Sequence, residues 1–243
     1  MAPARIMVDD FVTGIEEVPV TETRTPFSQP EGSKVLKLPG TARATEAASV
    51  EAPNGTIPGP HSRRNHQTVL QQHCAFFDRD SDGVIWPWDT WRSVRSLGYD
   101  FFLCVIAVVI VHGAFSYPTL SGILPDPFFR IYIDNINKGK HGSDSGTIDN
   151  EGRFIPQKFE DIFAKYASGD KQSISGQEIL NYLSGQRVYM DPFGWFAASF
   201  EWFVTYVLLW PADGRMQKED IRRIYDGSLF YEIAARREKG KKA

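Results

Sequence analysis

The chain has 243 residues and is 42% hydrophobic, enough to build a packed core in one large domain or two small ones. A formal net charge of -3 excludes both a polycation suited to nucleic acid and an extended polyanion. The two cysteines, Cys74 and Cys104, stand in apolar surroundings, which excludes a disulfide framework or thiolate metal centre and points to a reducing compartment. Residues 1–60 are rich in Pro, Thr, Ala and Glu without a sustained hydrophobic period, which predicts a disordered arm. Asp9, Asp10, Glu16 and Glu17 lie in it with no apolar core of signal-peptide length, so secretion is not expected.

Residues 61–100 contain the most informative motif. Asp78, Asp80 and Asp82 take positions 1, 3 and 5 of a twelve-residue EF-hand loop, Gly83 the turn at 6, Val84 the carbonyl ligand at 7 and Ile85 the apolar position 8. Alternate spacing turns three carboxylates toward one hard cation, and Gly83 tolerates the backbone angles of the turn. Val69, Leu70, His73, Phe76 and Phe77 before the loop, and Trp91, Val94 and Leu97 after it, recur at helical spacing. Pro87 falls where the exiting helix begins, a place that needs no amide. Position 12 is Asp89 rather than Glu, so its shorter arm predicts a weaker or more magnesium-tolerant site.

Residues 101–133 read as an apolar hairpin. The run from Phe101 to Tyr117 is apolar apart from His112 and Ser116, and as a helix it would extend roughly 26 Å, short of a hydrocarbon core of about 30 Å. Pro118, Pro125 and Pro127 then interrupt a still apolar stretch and block helix continuation, so the chain should turn within or near an apolar layer rather than cross it. Such an anchor suits a lipid droplet, which has no aqueous far side. A buried core helix is the alternative, and His112 has no evident role.

Residues 134–230 predict a helical region. A basic loop, Lys138 to Asp144, containing His141 and flanked by Gly139 and Gly142, is expected to be flexible. Phe159, Ile162, Phe163 and Tyr166 mark one helix; Ile179, Leu180 and Leu183 mark another, opened by a capping box of Ser175 and Glu178. Phe193 to Trp210 is apolar on nearly every side apart from Glu201; it reads as a buried central helix in preference to a second membrane contact. Two degenerate calcium-loop echoes appear, one keeping Ile174 and Glu178, the other Asp213, Gly214, Met216 and Asp220. They are expected to partner the intact loop without binding ions. A last helix through Ile221, Ile224 and Tyr225 should end near Gly227, leaving residues 231–243 as a basic tail. The fold expected is therefore mainly α: an EF-hand helix-loop-helix, an apolar proline-knot hairpin and a C-terminal helical region.

The stretch Gln71–Gln72–His73–Cys74–Ala75–Phe76–Phe77 leading into Asp78, together with Pro127–Phe128–Phe129–Arg130–Ile131–Tyr132–Ile133, resembles the caleosin family. So do Lys140 to Asp144, Asp149 to Phe154, Arg222–Arg223 and Asp226 to Phe230, in the same order. The resemblance runs from about His66 to the last helix and suggests a fungal-type member. It implies a calcium-dependent haem peroxygenase carrying haem b and Ca2+, with His73 and His141 matching the family's two haem-associated histidines. It further implies fatty-acid hydroperoxides as oxygen donors, unsaturated fatty acids or other lipids as acceptors, and residence on the cytosolic face of lipid droplets and endoplasmic reticulum. Association with further copies of the chain stays open, and nucleic acid is not expected. His73, on a helix, is the favoured proximal ligand and His141 the distal proton-transfer group.

The chain departs from the family pattern in three places. Asp134 and Asn137 stand where many members have extra histidines, Arg130 replaces a proline, and Asp89 replaces Glu. A non-catalytic, calcium-regulated coat protein of lipid droplets is the alternative function, with a partner-recruiting calcium sensor as a third.

Overall fold

The computed structural model describes residues 67–242; the arm expected over residues 1–60 lies outside them. The architecture is mainly helical, and among the described residues the strands are two or three residues long. Helix α1 (Val69–Ala75) opens at Thr68, whose hydroxyl accepts from the Gln71 amide while the Gln71 side-chain carbonyl accepts from the Thr68 amide. Two amides that a helix start leaves unpaired are thereby satisfied. The acidic loop follows, then strand β1 (Val84–Ile85) and helix α2 (Pro87–Ser96), with Pro87 in its first turn.

Helix α3 (Phe101–Phe115) starts from Asp100, whose carboxylate accepts from the Leu103 amide at 2.9 Å, and stops before Pro118. No second apolar helix returns. Residues 116–130 run irregularly to strand β2 (Ile131–Tyr132) and a 3-10 helix (Ile133–Gly139). Strand β2 pairs antiparallel with β1, Val84 opposite Tyr132 and Ile85 opposite Ile131. The apolar segment is thus half of a second helix-loop unit facing the acidic loop. His112 is a strut in this unit: its Nδ1 donates to the Phe129 carbonyl at 2.6 Å and its Nε2 accepts from the Thr90 hydroxyl at 2.8 Å. Burial lowers its pKa, which keeps the neutral ring that this donor-acceptor pattern uses.

The rest of the chain repeats the arrangement. Helix α4 (Pro156–Tyr166), strand β3 (Ser173–Ser175) and helix α5 (Gly176–Gln186) form one helix-strand-helix unit; α6 (Pro192–Leu209), β4 (Arg215–Gln217) and α7 (Lys218–Tyr225) form the next. Ser175 and Glu178 make the expected capping box. Strands β3 and β4 are antiparallel with Ile174 opposite Met216, both buried, over a core of Phe154, Phe159, Phe163, Tyr182 and Trp202. The degenerate loops therefore pair with each other, and the intact loop pairs with the segment at Ile131.

Charge compensation helps hold together the loops that lack a cluster of three carboxylates. In each pair the second loop has an arginine just before its central apolar residue, Arg130 before Ile131 and Arg215 before Met216. Arg130 Nε donates to Asp126 Oδ2 at 2.7 Å. Arg215 donates to the Ser173 hydroxyl, the Ser173 carbonyl and Glu178 Oε2 at 2.8, 2.9 and 3.1 Å. Burial alone would raise the Glu178 pKa, but hydrogen bonds from Ser168 and Ser175 and the Arg215 charge hold it down at about 2. A guanidinium does here the neutralising that a bound cation would otherwise do.

Two further expectations are corrected. The chain does not end its helices at Gly227; it turns there with a φ of 76° and continues as α8 (Ser228–Lys242). Buried Leu229 and Phe230 fix its first turn, and Glu232 binds Arg223 at 2.6 Å and also Arg236. Helix α6 is not a buried central helix: only Gly194, Ala198 and Trp202 are buried along it. Neighbouring helices cover one face of α6 and leave Phe193, Phe196 and Phe203 exposed.

Arg215→Ala should destabilise the fold by about 1–3 kcal/mol, because a charged hydrogen-bonding partner of a half-buried carboxylate is lost. Glu178 has a folded-state pKa below its ordinary 4.5, so its stabilisation is present above about pH 4.5 and is lost as pH falls toward 2. Denaturant melts should show a shallower acid loss of stability across that window in Glu178→Gln than in the wild type. An Arg215→Ala protein as stable as wild type would contradict the compensation argument.

Candidate functional site

His73 lies near the end of α1, five residues before Asp78, the first residue of the acidic loop. Its Nδ1 is 2.7 Å from the carbonyl oxygen of Ile224 on α7. A carbonyl only accepts, so Nδ1 carries the proton and Nε2 is left as a bare nitrogen. The rings of Phe77 and Phe230 lie 6.2 and 5.1 Å from the imidazole. Burial lowers the His73 pKa, against smaller raising effects of the Ile224 bond, Glu201 and Asp226. The result is a neutral, oriented imidazole, the form that ligates a metal, with its second nitrogen held by a backbone acceptor as metal-binding histidines commonly are. Gly227 makes this contact close: a Cβ there would stand 3.0 Å from both His73 Cα and the Gln72 carbonyl oxygen.

His141 arrives from the loop after the 3-10 helix. That loop is pinned, contrary to the flexibility expected of it. Ser143 donates to Asp191 Oδ2 at 2.7 Å and accepts from the Val188 amide at 3.2 Å, tying the loop to the start of α6. Lys140 reaches the Ile148 carbonyl and pairs with Asp144 at 3.1 Å. The His141 side chain is only 7% exposed, and its Nε2 lies 3.9 Å from Glu201 Oε1, whose own side chain is 56% exposed. Its Nδ1 is buried with no hydrogen-bond partner. Glu201 is the main cause of a raised His141 pKa, opposed by burial and helped by Asp144 and Asp191. The Phe193 ring stands edge-on to the imidazole at 6.2 Å.

Helix α7 joins the two histidine segments. Ile224 accepts from His73, and the adjacent Tyr225 hydroxyl donates to Ser145 Oγ at 2.9 Å in the His141 loop. Burial pushes the Tyr225 phenol up to about 12, against hydrogen bonds to Ser145 and Thr147, so it keeps the proton it donates. The Glu201 carboxylate raises the pKa of both imidazoles. Sequence patterns marked Ile224, Tyr225 and Gly227 only as a helix and its end, and did not mark the Ser143–Asp191 pair; a lone carboxylate inside the apolar run Phe193 to Trp210 is the one visible signal for Glu201.

The acidic loop forms a compact cluster. Carboxylate oxygens of Asp78, Asp80 and Asp82 lie within 4.8 Å of one another. Asp78 is buried and accepts from the Asp82 and Gly83 amides at 3.2 and 2.9 Å. Gly83 has a φ of 85°, the left-handed turn that its position demands. Burial, then the neighbouring Asp82 and Asp80, raises the Asp78 pKa against the two amides. Val84 is held in β1, and Asp89 lies outside the three-carboxylate group, its Oδ2 accepting from the Trp86 amide at 3.2 Å at the start of α2.

In a comparison against known families, residues 65–234 match the family described as Caleosin related protein. The chain belongs to the caleosin family. It is 37% identical over 220 residues to a protein named Peroxygenase from Lilium longiflorum, covering 90% of each chain. It is also 37% identical over 168 residues to Probable peroxygenase 4 of Arabidopsis thaliana, covering 69% of this chain and 86% of that one. A Probable inactive peroxygenase-like protein of Arabidopsis thaliana is 28% identical over 150 residues, 60% of this chain and 70% of its own. No solved structure matches significantly.

Glu201→Gln should lower the His141 titration midpoint, because the main influence holding it above the ordinary histidine range is removed. Proton–nitrogen NMR titration of the imidazole measures it, and an unchanged midpoint would show that Glu201 does not act on His141.

Proposed function

We propose that the protein is a calcium-dependent haem peroxygenase that transfers oxygen from fatty-acid hydroperoxides to unsaturated lipids or other acceptors at lipid surfaces. One observation carries the reading. Two imidazoles remote in sequence are braced by the same turn of α7, one with a bare nitrogen and the other with a buried nitrogen that has no partner. That orphaned nitrogen and the freed Nε2 fit a group bound among apolar rings, which this reading takes as haem b. His73 would ligate the iron, and His141 would serve as the proton-transfer group. Bound there, haem iron supplies cleavage of a hydroperoxide O–O bond and delivery of one oxygen atom to the acceptor.

The chain's own residues supply the rest. The Ile224 carbonyl fixes the tautomer and angle of the His73 ring, and the same bond raises the electron density of the ligating nitrogen. His141, with Glu201 beside it, would take the hydroperoxide's own proton and return that proton to the departing oxygen as the alcohol forms, so that no net proton is consumed. Phe77, Phe193 and Phe230 keep the surroundings of both rings apolar.

Calcium would be held by Asp78, Asp80 and Asp82 with the Val84 carbonyl, and Asp89 at position 12, outside this group with its Oδ2 on the Trp86 amide, would be a weaker, short-armed contributor. Its role follows from chain continuity: the loop begins five residues after His73, so neutralising the crowded carboxylates steadies the end of α1. The droplet or endoplasmic-reticulum surface would be met by α3 and the residues after it. Phe102 and Val109 are 76% and 66% exposed, and Ile123 and Leu124 are more exposed still, while among the described residues no helix is long and apolar enough to cross a membrane. That exposed face alone also fits the coat-protein alternative, which lacks the cofactor.

Purified protein given a fatty-acid hydroperoxide and an unsaturated fatty acid should form epoxide, and His141→Ala should lower turnover by about 100-fold or more. Folded wild-type protein that lacks haem and forms no product would favour the coat. Removing calcium with a chelator, or replacing Asp80 by Ala, should shift the haem absorption band and reduce oxygen transfer together. An unchanged spectrum with demonstrably empty loops would remove calcium from the mechanism.

A further inference from the structure

Helix α6 presents three faces. Gly194, Ala198 and Trp202 face the core, and Phe193 and Glu201 face His141. Phe196, Phe200, Phe203 and Val207 recur at the spacing of a third stripe, one that belongs to neither. Phe196 and Phe203 on this stripe are 55% and 54% exposed, and Phe196 stacks on Phe200 at 6.2 Å. Glu201 is the single charged residue in the eighteen of α6, and Ser199 spends its hydroxyl proton on the Trp195 carbonyl at 2.7 Å. The outward surface therefore offers apolar rings without a free donor.

We infer that this stripe of α6 is a second lipid-contact surface, lying in the interface of the same phospholipid-covered neutral lipid that α3 meets. The inference rests on the lipid-surface reading of α3 given above. Two observations commit the stripe to lipid. First, α6 is tied to the start of α3: the Tyr99 hydroxyl, two residues before α3 begins, donates to the Val204 carbonyl at 2.6 Å, and Tyr99, Leu208 and Leu209 all pack against the same buried cluster. Second, α3 repeats the same periodicity with Phe102, Ile106 and Val109, and the start of α6 has an aromatic and cationic rim. Arg187 lies 5.2 Å over the Trp195 ring, and the Trp195 indole donates to the Val188 carbonyl at 2.7 Å. Indole rings and arginine side chains favour the polar boundary of a lipid layer, and a helix with one uncharged apolar stripe lies in its plane.

The test is flotation of the full chain with triacylglycerol droplets covered by phosphatidylcholine. Phe196→Ser with Phe203→Ser should weaken partition about ten-fold or more, and an environment-sensitive dye on Phe203→Cys should shift to the blue when droplets are added. Should the double variant melt early, the dye-labelled chain alone decides. Wild type that floats beside an equally buoyant double variant, with a dye that stays in water, overturns the α6 surface and leaves α3 as the lipid contact. Wild type that does not float at all overturns both. A wild-type dimer that becomes monomeric in the double variant with flotation unchanged assigns the stripe to a second copy of the chain, which also overturns the inference.

Discussion

The hydrogen bond from His73 Nδ1 to the Ile224 carbonyl is the contact on which the site depends. It crosses the molecule from the helix that enters the acidic loop to the helix that closes the second loop pair, and it selects which imidazole nitrogen is left bare. One residue further along α7, Tyr225 grips the His141 loop through Ser145. A displacement of α7 thus moves both histidines. Gly227 permits the close approach because even a methyl group would meet the backbone of His73.

The two loop pairs divide labour by charge. Among the described residues one loop of the four has clustered carboxylates, and its partner and the second pair rely on half-buried guanidinium groups instead. A fixed arginine neutralises its carboxylate whatever the ion concentration, whereas Asp78, Asp80 and Asp82 repel one another until a cation arrives. The second pair can therefore stay folded as a constant platform for α7. On the calcium reading proposed above, sensitivity to the ion is confined to the end of α1, next to His73.

Much of this was legible in the residues. The acidic loop obeys a spacing rule, Pro87 and the Ser175–Glu178 box mark helix starts, and the prolines after Phe115 end α3 where they should. What periodicity could not supply was partnership. Ile174 and Met216 carry the same apolar signature as Ile85, and nothing local says which two will face each other; the arginines before Ile131 and Met216 gave the hint only in hindsight. Helix α8 is hard to read from sequence because a glycine and a run of basic residues imitate a chain end, while Leu229 and Phe230 find their contacts on distant elements. For α6, an apolar sequence on nearly every side was compatible with burial, and only the packing of its neighbours determines which rings remain outside. The site residues fared likewise: His73 and His141 came from the family resemblance, and Ile224 acts through a backbone atom that no side-chain pattern reveals.

The central claim is that His73, held by Ile224, is the iron ligand. Electron paramagnetic resonance of the purified ferric protein beside the His73→Ala variant, with His141→Ala as the control for the opposite side, tests it most directly. The account predicts a histidine-ligated haem signal in wild type that is lost or replaced in His73→Ala and retained in altered form in His141→Ala. A wild-type signal surviving in His73→Ala would contradict it.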